Sequence, residues 1–209
     1  MKNLPNPSIS RLCNLYRLLK KLSQEGQTRI SSSKISQRLG VGAHNIRKDI
    51  SYLGDIGNSG GGYNVEHLKG ILSQKLGLDK ERFACVVGLG QLGTALLNVL
   101  QNHDNGFRVV AGFDSNVNKI ETLRTSADVF PSYNMIEIIQ RMNIELAVLT
   151  VPTEAAQDVT VKLVNAGIKG IVNFTQAFLQ PPSPDVFVRN VDLFGEFTVL
   201  SALTTIHNT

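Results

Sequence analysis

The 209-residue chain lacks the features that would place it in a membrane or send it out of the cell. All its apolar runs stay short of the roughly 18–20 residues that a helix needs to span a bilayer. The opening segment "MKNLPNPSIS" has no apolar stretch of the kind that a secretory signal requires. We therefore expect a cytoplasmic protein.

Cysteine and metal-ligand patterns are equally sparse. The two cysteines are Cys13 and Cys85, and neither has a neighbouring histidine or a Cys-x-x-Cys partner. Both lie at apolar-periodic positions, which favours two small buried hydrophobic side chains, with a redox-sensing thiol pair as the alternative. Since no Cys/His cluster has the spacing of a zinc site, we expect no bound metal.

Charge is distributed unevenly along the chain. Residues 1–80 contain 13 Lys or Arg and 5 Asp or Glu, a net charge of +8, whereas residues 81–209 contain 8 and 12, a net charge of −4. This division predicts two domains with different partners, and a small basic domain is suited to a polyanion. A basic face that is only solvated is the alternative.

The basic part of the chain predicts three amphipathic helices in succession. The first covers residues 8–23; the second, in "SSSKISQRLG", has a serine N-cap and ends at Gly40. The third, in "AHNIRKDISYLG", places Ile46, Ile50 and Leu53 on one buried stripe. Two short helices joined by a glycine-containing turn, with outward polar and basic residues on the second, are typical of a helix-turn-helix. A corner of a helical bundle is the alternative.

A glycine-rich segment follows the third helix. In "GDIGNSGGGYNVEHL", residues 57–62 form a glycine-rich tip and "YNV" is strand-like. After a helix-turn-helix, a glycine-tipped hairpin predicts a winged helix, whose tip can enter the minor groove because glycine lets the backbone approach closely. An ordinary turn is the alternative.

A dinucleotide-binding loop is predicted in "CVVGLGQLGTALL", residues 85–97. A strand precedes Gly-x-Gly-x-x-Gly and a helix follows it: Gly88 suits the tight turn, Gly90 the approach of a pyrophosphate, and Gly93 close packing of the helix on the strand. Asp114 ends a second strand 21 residues after Gly93. A carboxylate there accepts hydrogen bonds from a ribose 2′-OH, which predicts NAD(H) rather than NADP(H). A turn or N-cap role for Asp114 is the alternative.

Strands and helices continue to alternate through "MIEIIQRMN", "IELAVLTVP", "TEAAQDVTVKLVNAG" and "IKGIVNF". This alternation predicts a doubly wound parallel sheet, whose strand ends at Gly88, Asp114, Val151–Pro152 and Asn173–Phe174 should meet in one crevice. None of these ends offers a His, Lys or Tyr arranged for acid–base chemistry. The pattern therefore favours a site that binds a nucleotide without turning it over.

The chain resembles the Rex family of NADH/NAD⁺-responsive bacterial transcriptional repressors. The similarity runs through "RKDISYLGDIG", "GGGYNVEHL", "VVGLGQLGTALLN", "FDSNVNKI", "LTVPTEAAQ", "AGIKGIVNF" and "NVDLFGEF". The resemblance implies a homodimer whose subunits have a winged-helix domain (residues 1–80), a Rossmann domain (residues 81–190) and a C-terminal helix (residues 191–209) inserted into the partner. It also implies binding to a palindromic operator when NADH is scarce, and release by NADH.

The tail agrees with a helix that has a partner. Leu193, Phe197, Leu200 and Leu203 fall on one helical stripe, although a helix covering its own sheet is the alternative. The resemblance further implies that Arg17 and Asp192 take part in the conformational switch. The chain departs from the family pattern at Ser59, where a basic wing residue is usual, at Val99, where many members have tyrosine, and at Thr175 and Gln176, where "NFTQ" replaces "NFAP".

Two sets of site residues follow from these interpretations. The candidate DNA contacts are Ser32, Ser33, Lys34, His44, Asn45, Arg47, Lys48, Ser51, Tyr52, Ser59, Gly60 and Tyr63. The candidate NAD(H) contacts are Gly88, Leu89, Gly90, Gln91, Leu92, Gly93, Asp114, Ser115, Lys119, Val151, Pro152, Asn173 and Phe174. Two other functions remain open: a small NAD(H)-dependent oxidoreductase with an accessory helical domain, and a regulator that senses another nucleotide such as CoA.

Overall fold

A computed structural model describes residues 4–54, 56, 61–100, 106–125 and 127–207, and the chain divides into two units, Met1–Lys80 and Glu81–Thr209. The first unit consists mainly of helices. Its helices are α1 (Asn6–Gln24), α2 (Ser32–Leu39), α3 (Ala43–Ser51) and α4 (Val65–Leu76), and its strands are β1 (Arg29–Ile30) and β2 (Tyr63–Asn64).

The predicted helix-turn-helix is confirmed in α2 and α3. The Ser31 hydroxyl accepts a hydrogen bond of 3.2 Å from the Lys34 amide, so a serine caps α2 as expected. The helix ends at Gly40 in the left-handed conformation, with φ of 63°. Ile46 and Ile50 of α3 are at most 4% exposed and join α1 in one apolar core, which fixes the face that α3 turns to solvent.

The strand that follows the glycine-rich tip pairs with a segment that the sequence analysis did not identify as a strand. Tyr63 pairs antiparallel with Ile30 of β1, between α1 and α2. The Arg29 guanidinium donates hydrogen bonds to the carbonyl oxygens of Gly61 (3.1 Å) and Gly62 (2.9 Å), which joins β1 to the end of the tip. Residues 57–60, including Ser59 and Gly60, lie outside the described residues.

The second unit contains a parallel sheet between two layers of helices. Its strands are β3 (Arg82–Val87), β4 (Phe107–Asp114), β5 (Asp128–Pro131), β6 (Ile144–Leu149), β7 (Gly170–Asn173) and β8 (Phe187–Asn190). Its helices are α5 (Gln91–Val99), α6 (Val117–Thr122), α7 (Met135–Arg141), α8 (Thr153–Ala166) and α9 (Leu193–His207). The strand order β5-β4-β3-β6-β7-β8 is that of a doubly wound nucleotide-binding sheet, with the crevice at the switch between β3 and β6.

Alternation along β3 explains why helices cover both faces of this sheet. Cys85 and Val87 point into the core shared with α7 and α8, whereas Ala84 and Val86 point into the core shared with α5. The buried part of this central parallel strand, residues 84–87, is therefore apolar at every position, as the sequence indicates. The sequence interpretation missed β5 and β8, which lie at the two edges of the sheet and are only four residues long.

The last helix, α9, is apolar yet covers nothing within its own unit. No described residue of α9 is buried, and Phe194 and Phe197 are both 72% exposed. The predicted stripe is also wider than expected, because Val199 and Ile206 add apolar surface on other faces. Of the two interpretations left open by the sequence, this exposure contradicts the one in which the helix covers its own sheet.

Candidate functional site

The glycine loop between β3 and α5 forms a tight cradle. Gly88 has φ of +92°, and a Cβ there would lie 2.7 Å from the carbonyl oxygen of Thr150. A Cβ at Gly93 would lie 1.9 Å from the carbonyl oxygen of Gly88. At Gly90, in contrast, a Cβ would meet no described atom within 4 Å. Packing therefore requires the first and third glycines, while the second borders the open space that a pyrophosphate would need.

Asp114, at the end of β4, fastens this loop to the sheet. Its Oδ2 accepts a hydrogen bond of 2.7 Å from the Leu89 amide, and its Oδ1 accepts one of 2.8 Å from the Asn116 amide. The Lys119 ammonium lies 3.9 Å from Oδ2. The turn role that the sequence left open for Asp114 is thus real. It does not exclude a ligand role, because each carboxylate oxygen can accept a further hydrogen bond.

Thr150 is a loop-shaping residue that the sequence interpretation missed. Its hydroxyl donates a hydrogen bond of 2.7 Å to the Gly88 carbonyl oxygen, and its amide donates one of 2.9 Å to the Val87 carbonyl oxygen. Thr150 follows β6, 62 residues after Gly88, so only the pairing of β3 with β6 brings the two together. The signal available in the sequence was its position at the end of a central parallel strand.

Three of the four predicted strand ends meet in a cavity of about 600 Å³, here called the strand-end cavity. Of the predicted residues, it is lined by Gly88, Gly90, Asp114, Ser115, Lys119, Val151 and Pro152. The lining residues that were not predicted include Tyr133, which is 76% exposed, and Lys162 on α8. The charged lining residues are Lys119, Lys162 and Asp114, so the lining is net cationic, which suits a ligand that carries phosphates.

Leu89 and Gln91 line a second hollow of about 470 Å³ that shares Gly90 and Lys119 with the strand-end cavity. Leu92 lines neither space and is 43% exposed on α5. The helix begins at Gln91, so its first amides point towards Gly90 and the open cradle. This is the arrangement in which a helix N-terminus binds an anion.

Asn173 and Phe174 were expected in the crevice but line neither of these spaces. Asn173 is fully buried, and its side-chain amide is taken up by hydrogen bonds to neighbouring segments. Phe174 packs into the apolar core on the α5 side of the sheet. Their position at the end of β7 is as expected, but packing turns their side chains away from the cavity.

The second candidate site is the solvent-facing side of α3, here called the α3 surface. Its members are His44, Asn45, Arg47, Lys48 and Ser51, and all five are exposed. An ion pair holds the opposite side of the helix: the Arg11 guanidinium on α1 contacts both carboxylate oxygens of Asp49, at 2.5 and 2.8 Å. The hydrogen bond to Asp49 also raises the pKa of Arg11. This contact sets the rotation of α3 about its axis.

The neighbouring candidates of the first unit behave differently from one another. Ser33, Lys34 and Tyr52 are exposed, while Ser32 is half-buried and accepts a hydrogen bond of 3.2 Å from Arg47. Tyr63 is only 6% exposed, because its ring packs in the apolar core of the first unit. The prediction that Tyr63 contacts DNA is therefore wrong, because burial removes this side chain from the surface.

The two candidate switch residues have distinct environments. Arg17 is exposed on α1. Asp192 precedes α9 and caps it, since its Oδ1 accepts a hydrogen bond of 2.9 Å from the Gly195 amide. Val99, at the end of α5, is 61% exposed. The switch role of Arg17 and Asp192 stays a prediction.

The cysteines, the possible metal ligands and the apolar helices of the described residues are the remaining candidates for other functions. Burial raises the pKa of the Cys85 thiol to about 12. The protonated thiol, which is the unreactive form, therefore dominates at neutral pH. Cys13 is half-buried in the other unit. Among the described residues, no group of three or more His, Cys, Asp or Glu side chains is arranged to hold a metal ion. Within the same residues, no helix combines the length and the apolar character that crossing a bilayer requires.

Comparison with known proteins gives matches to both units. One family model, described as "Putative DNA-binding protein N-terminus", matches residues 3–51, and another, described as "CoA binding domain", matches residues 79–177. The redox-sensing transcriptional repressor Rex 1 of Enterococcus faecalis is 38% identical over 197 residues, covering 94% of this chain and 91% of that protein. The Rex protein of Carboxydothermus hydrogenoformans is 38% identical over 198 residues and covers 95% of both chains.

Solved structures agree over almost the full length. The crystal structure of the repressor RSP in complex with β-NAD⁺ and operator DNA has a TM-score of 0.89 and 33% identity, and covers 99% of this chain and 94% of that chain. The structure of RSP in complex with β-NADH has a TM-score of 0.86 and 32% identity, and the match covers 98% of this chain and 96% of that chain. RSP is described as a Rex-family repressor.

The fold and its two sites define a class of protein: a winged-helix transcription regulator that carries a Rossmann-type nucleotide domain in the same chain. Within that class, identity above 30% over nearly the whole chain decides the family. The chain belongs to the Rex family of redox-sensing transcriptional repressors, as the sequence resemblance implied. Repression rather than oxidoreductase catalysis is the activity of this family.

Proposed function

We propose that this protein binds a palindromic operator as a homodimer and is released from it by NADH. The strand-end cavity, which Gly90 and Asp114 both line, supports the part of this proposal that concerns nucleotide binding. A Cβ at Gly90 would enter open space, and the Asp114 carboxylate stands 2.7 Å from the Leu89 amide at the edge of the same cavity. The related repressor RSP has been solved in complex with β-NAD⁺ and operator DNA, and in complex with β-NADH.

The candidate NAD(H) contacts that line the cavity each bind a different part of the ligand in this proposal. The amides at the start of α5 and the open position at Gly90 receive the pyrophosphate, and Asp114 accepts hydrogen bonds from the adenosine ribose. The nicotinamide end lies towards Val151 and Pro152, whose apolar side chains disfavour a cationic ring. The nicotinamide supplies the signal, since it is cationic when oxidised and neutral when reduced.

The α3 surface carries the DNA half. Its polar and basic side chains enter the major groove, and Ser33 and Lys34 on α2 contact phosphates beside it. Two copies of the surface in a dimer would reach two half-sites, so the operator is palindromic. A ligand can shift operator affinity only when it binds the two arrangements of the dimer unequally.

Dimerisation draws on the exposed α9. Its uncovered apolar side chains, including Phe194, Phe197 and Leu200, form a patch that a partner subunit would bury. In the proposed dimer, α9 is exchanged between subunits, and Arg17 and Asp192 take part in the switch. The protein acts in the cytoplasm, where a DNA-binding regulator meets the chromosome.

The deciding experiment is an operator-binding assay in which NADH and NAD⁺ are titrated separately. The proposal requires NADH to raise the operator Kd at concentrations at which NAD⁺ leaves it nearly unchanged. Equal effects of both forms would contradict redox sensing. A difference that disappears in Asp114→Ala would link the effect to the strand-end cavity.

A second candidate ligand is CoA, because the CoA-binding domain model matches residues 79–177. Asp114 cannot separate the two ligands, since the ribose of CoA also has a free 2′-OH. The same assay therefore includes CoA as a third titrant. Release of the operator by CoA at lower concentration than by NADH would favour a CoA-responsive regulator.

A further inference from the structure

One buried side chain in the second unit joins two segments that are far apart in sequence. Asn173 is fully buried at the end of β7. Its Nδ2 donates hydrogen bonds of 3.0 Å to the Ala177 carbonyl oxygen and to Oδ1 of Asn190. Its Oδ1 accepts hydrogen bonds from the Thr175 amide, at 2.9 Å, and from the Thr175 hydroxyl, at 2.7 Å. All four hydrogen-bonding positions of this amide are filled.

One side of this network is a short loop that is hydrogen-bonded to β6, the strand that leads into the wall of the strand-end cavity. The loop consists of residues 174–177 and begins where the Phe174 amide donates a hydrogen bond of 3.0 Å to the Leu149 carbonyl oxygen. Leu149 ends β6, and the next residues, Thr150 to Pro152, line the cavity. The loop is therefore anchored to the strand that continues into the cavity wall.

The other side of the network is the start of α9. The Val191 amide donates a hydrogen bond of 2.8 Å to the Asn173 carbonyl oxygen, and the next residue, Asp192, caps the helix. At Gly195 a Cβ would lie 2.5 Å from Oδ2 of Asp192, so the absence of a side chain lets the cap form. Side chain and main chain of Asn173 together fix the segment from which α9 begins.

Thr175 closes the loop more firmly than a residue without a hydroxyl group could. Its Oγ1 donates to Oδ1 of Asn173 and accepts a hydrogen bond of 3.2 Å from the Ala177 amide. An alanine at this position would keep the backbone contact of residue 175 but lose both hydroxyl contacts. A buried amide is costly to leave unsatisfied. The network therefore resists any separation of the loop from the segment before α9.

We propose that Asn173 is a positioning residue that couples the loop 174–177, which is hydrogen-bonded to the end of β6 next to the cavity wall, to the start of α9, and that the Thr175 hydroxyl strengthens this coupling. The inference rests on the proposed function, in which nucleotide binding changes the arrangement of α9 in the dimer. It adds a path between the two: loop, Asn173, Asn190 and the helix cap. The alternative is that the network only stabilises the fold.

The test breaks the link at its exposed end. Asn190→Leu removes the acceptor for Asn173, whereas Asn190→Asp keeps an oxygen in that place and serves as the conservative rescue. Arg189→Ala is the matched control, because Arg189 is exposed on the same strand. The coupling is measured as the operator Kd with saturating NADH divided by the Kd without it. NADH affinity of the free protein is measured in parallel.

Asn190→Leu should reduce this ratio at least fivefold while NADH affinity stays within about twofold, and Asn190→Asp and Arg189→Ala should keep the ratio. Thr175→Ala should lower the ratio and Thr175→Ser should restore it. In the nucleotide-free protein, Asn190→Leu should speed amide hydrogen exchange over residues 190–197. This last readout reports the physical link without any ligand.

Two results would overturn the coupling. One is an unchanged Kd ratio in both Asn190→Leu and Thr175→Ala; the other is unchanged hydrogen exchange at residues 190–197. If neither NADH nor NAD⁺ affects operator binding by the unaltered protein, the proposed function fails and the coupling fails with it. A normal NADH response in the unaltered protein, with an unchanged ratio in the variants, contradicts the coupling alone.

Discussion

The amide of Leu89 donates a hydrogen bond of 2.7 Å to Oδ2 of Asp114, so one carboxylate both shapes the glycine loop and borders the strand-end cavity. Asp114→Ala removes both contributions. Charged hydrogen bonds contribute about 1.5–3 kcal/mol, so NADH should bind roughly 10–100-fold more weakly. Fluorescence titration of NADH measures this loss. Operator binding by the nucleotide-free protein should stay the same.

Asp114→Asn separates the two contributions of that carboxylate. The amide oxygen can still accept a hydrogen bond from Leu89, but the negative charge that repels a 2′-phosphate is gone. We expect an intermediate NADH affinity and a smaller preference for NADH over NADPH. Unchanged NADH affinity in both variants would show that the ribose does not bind at Asp114.

Substitution by alanine should affect different properties at Gly90 and Gly93: nucleotide affinity at Gly90 and stability at Gly93. Gly90→Ala adds a methyl group to open space at an ordinary φ of −62°, so stability should change by less than about 0.5 kcal/mol while nucleotide affinity falls at least tenfold. Gly93→Ala places a Cβ 1.9 Å from the Gly88 carbonyl oxygen and should lower the melting temperature by several degrees. Thermal melts and NADH titration check both expectations.

A third glycine, outside the loop, serves as the control for both substitutions. Gly70 on α4 has open space at its Cβ position, so Gly70→Ala tests the substitution in a helix far from the loop in sequence. It should be neutral or slightly stabilising, because alanine favours a helix more than glycine does. Full NADH affinity in Gly90→Ala would remove the pyrophosphate from this position.

Local sequence signals predicted the parts of the site that depend on neighbouring residues. The spacing of Gly88, Gly90 and Gly93 and the position of Asp114 state a strand, a turn and a helix within 30 residues, and the structure has all three. The helix-turn-helix was predictable for the same reason. Its caps at Ser31 and Gly40 act over only a few residues.

Contacts that join distant segments were not predictable in this way. The Thr150 hydroxyl reaches Gly88 only through strand pairing, and Asn173 reaches Asn190 only through β8, an edge strand with no apolar run to announce it. Tyr63 misled the sequence interpretation, because a tyrosine beside a glycine-rich tip fits a DNA contact as well as a core position. Its pairing with Ile30 decides for the core.

Stability should depend on pH through Glu145 at the start of β6. Hydrogen bonds from Lys169, and the charge of Arg82 at 2.7 Å, lower the pKa of Glu145 from its ordinary value of 4.5. A lowered pKa stabilises the folded protein above pH 4.5, and this stabilisation is lost as the pH falls through the folded-state value. Glu145→Gln should therefore cost about 0.5–1 kcal/mol at pH 7, and this cost should shrink as the pH falls below 4.5.

Urea denaturation at pH 7 and near pH 3 measures the difference. Glu137→Gln is the matched control, since Glu137 is 71% exposed and pairs with Arg141 at 3.4 Å. Exposed pairs of this kind contribute little, so this variant should match the unaltered protein at both pH values. A Glu145→Gln difference that is as large near pH 3 as at pH 7 would mean that packing, rather than charge, is lost.

Lys48 is the sharpest test of the α3 surface, because the Arg11–Asp49 contact holds the opposite side of the helix. If Lys48 reads a guanine edge, Lys48→Ala should cost about 1–3 kcal/mol in operator binding and relax specificity at one base pair. If it contacts a phosphate, binding to all sequences should weaken alike and the salt dependence should fall by about one unit. Lys75→Ala, which removes the same charge from an exposed position on α4, is the control. Operator titrations at two salt concentrations distinguish these outcomes, and equal affinities of Lys48→Ala and Lys75→Ala would exclude Lys48 from the interface.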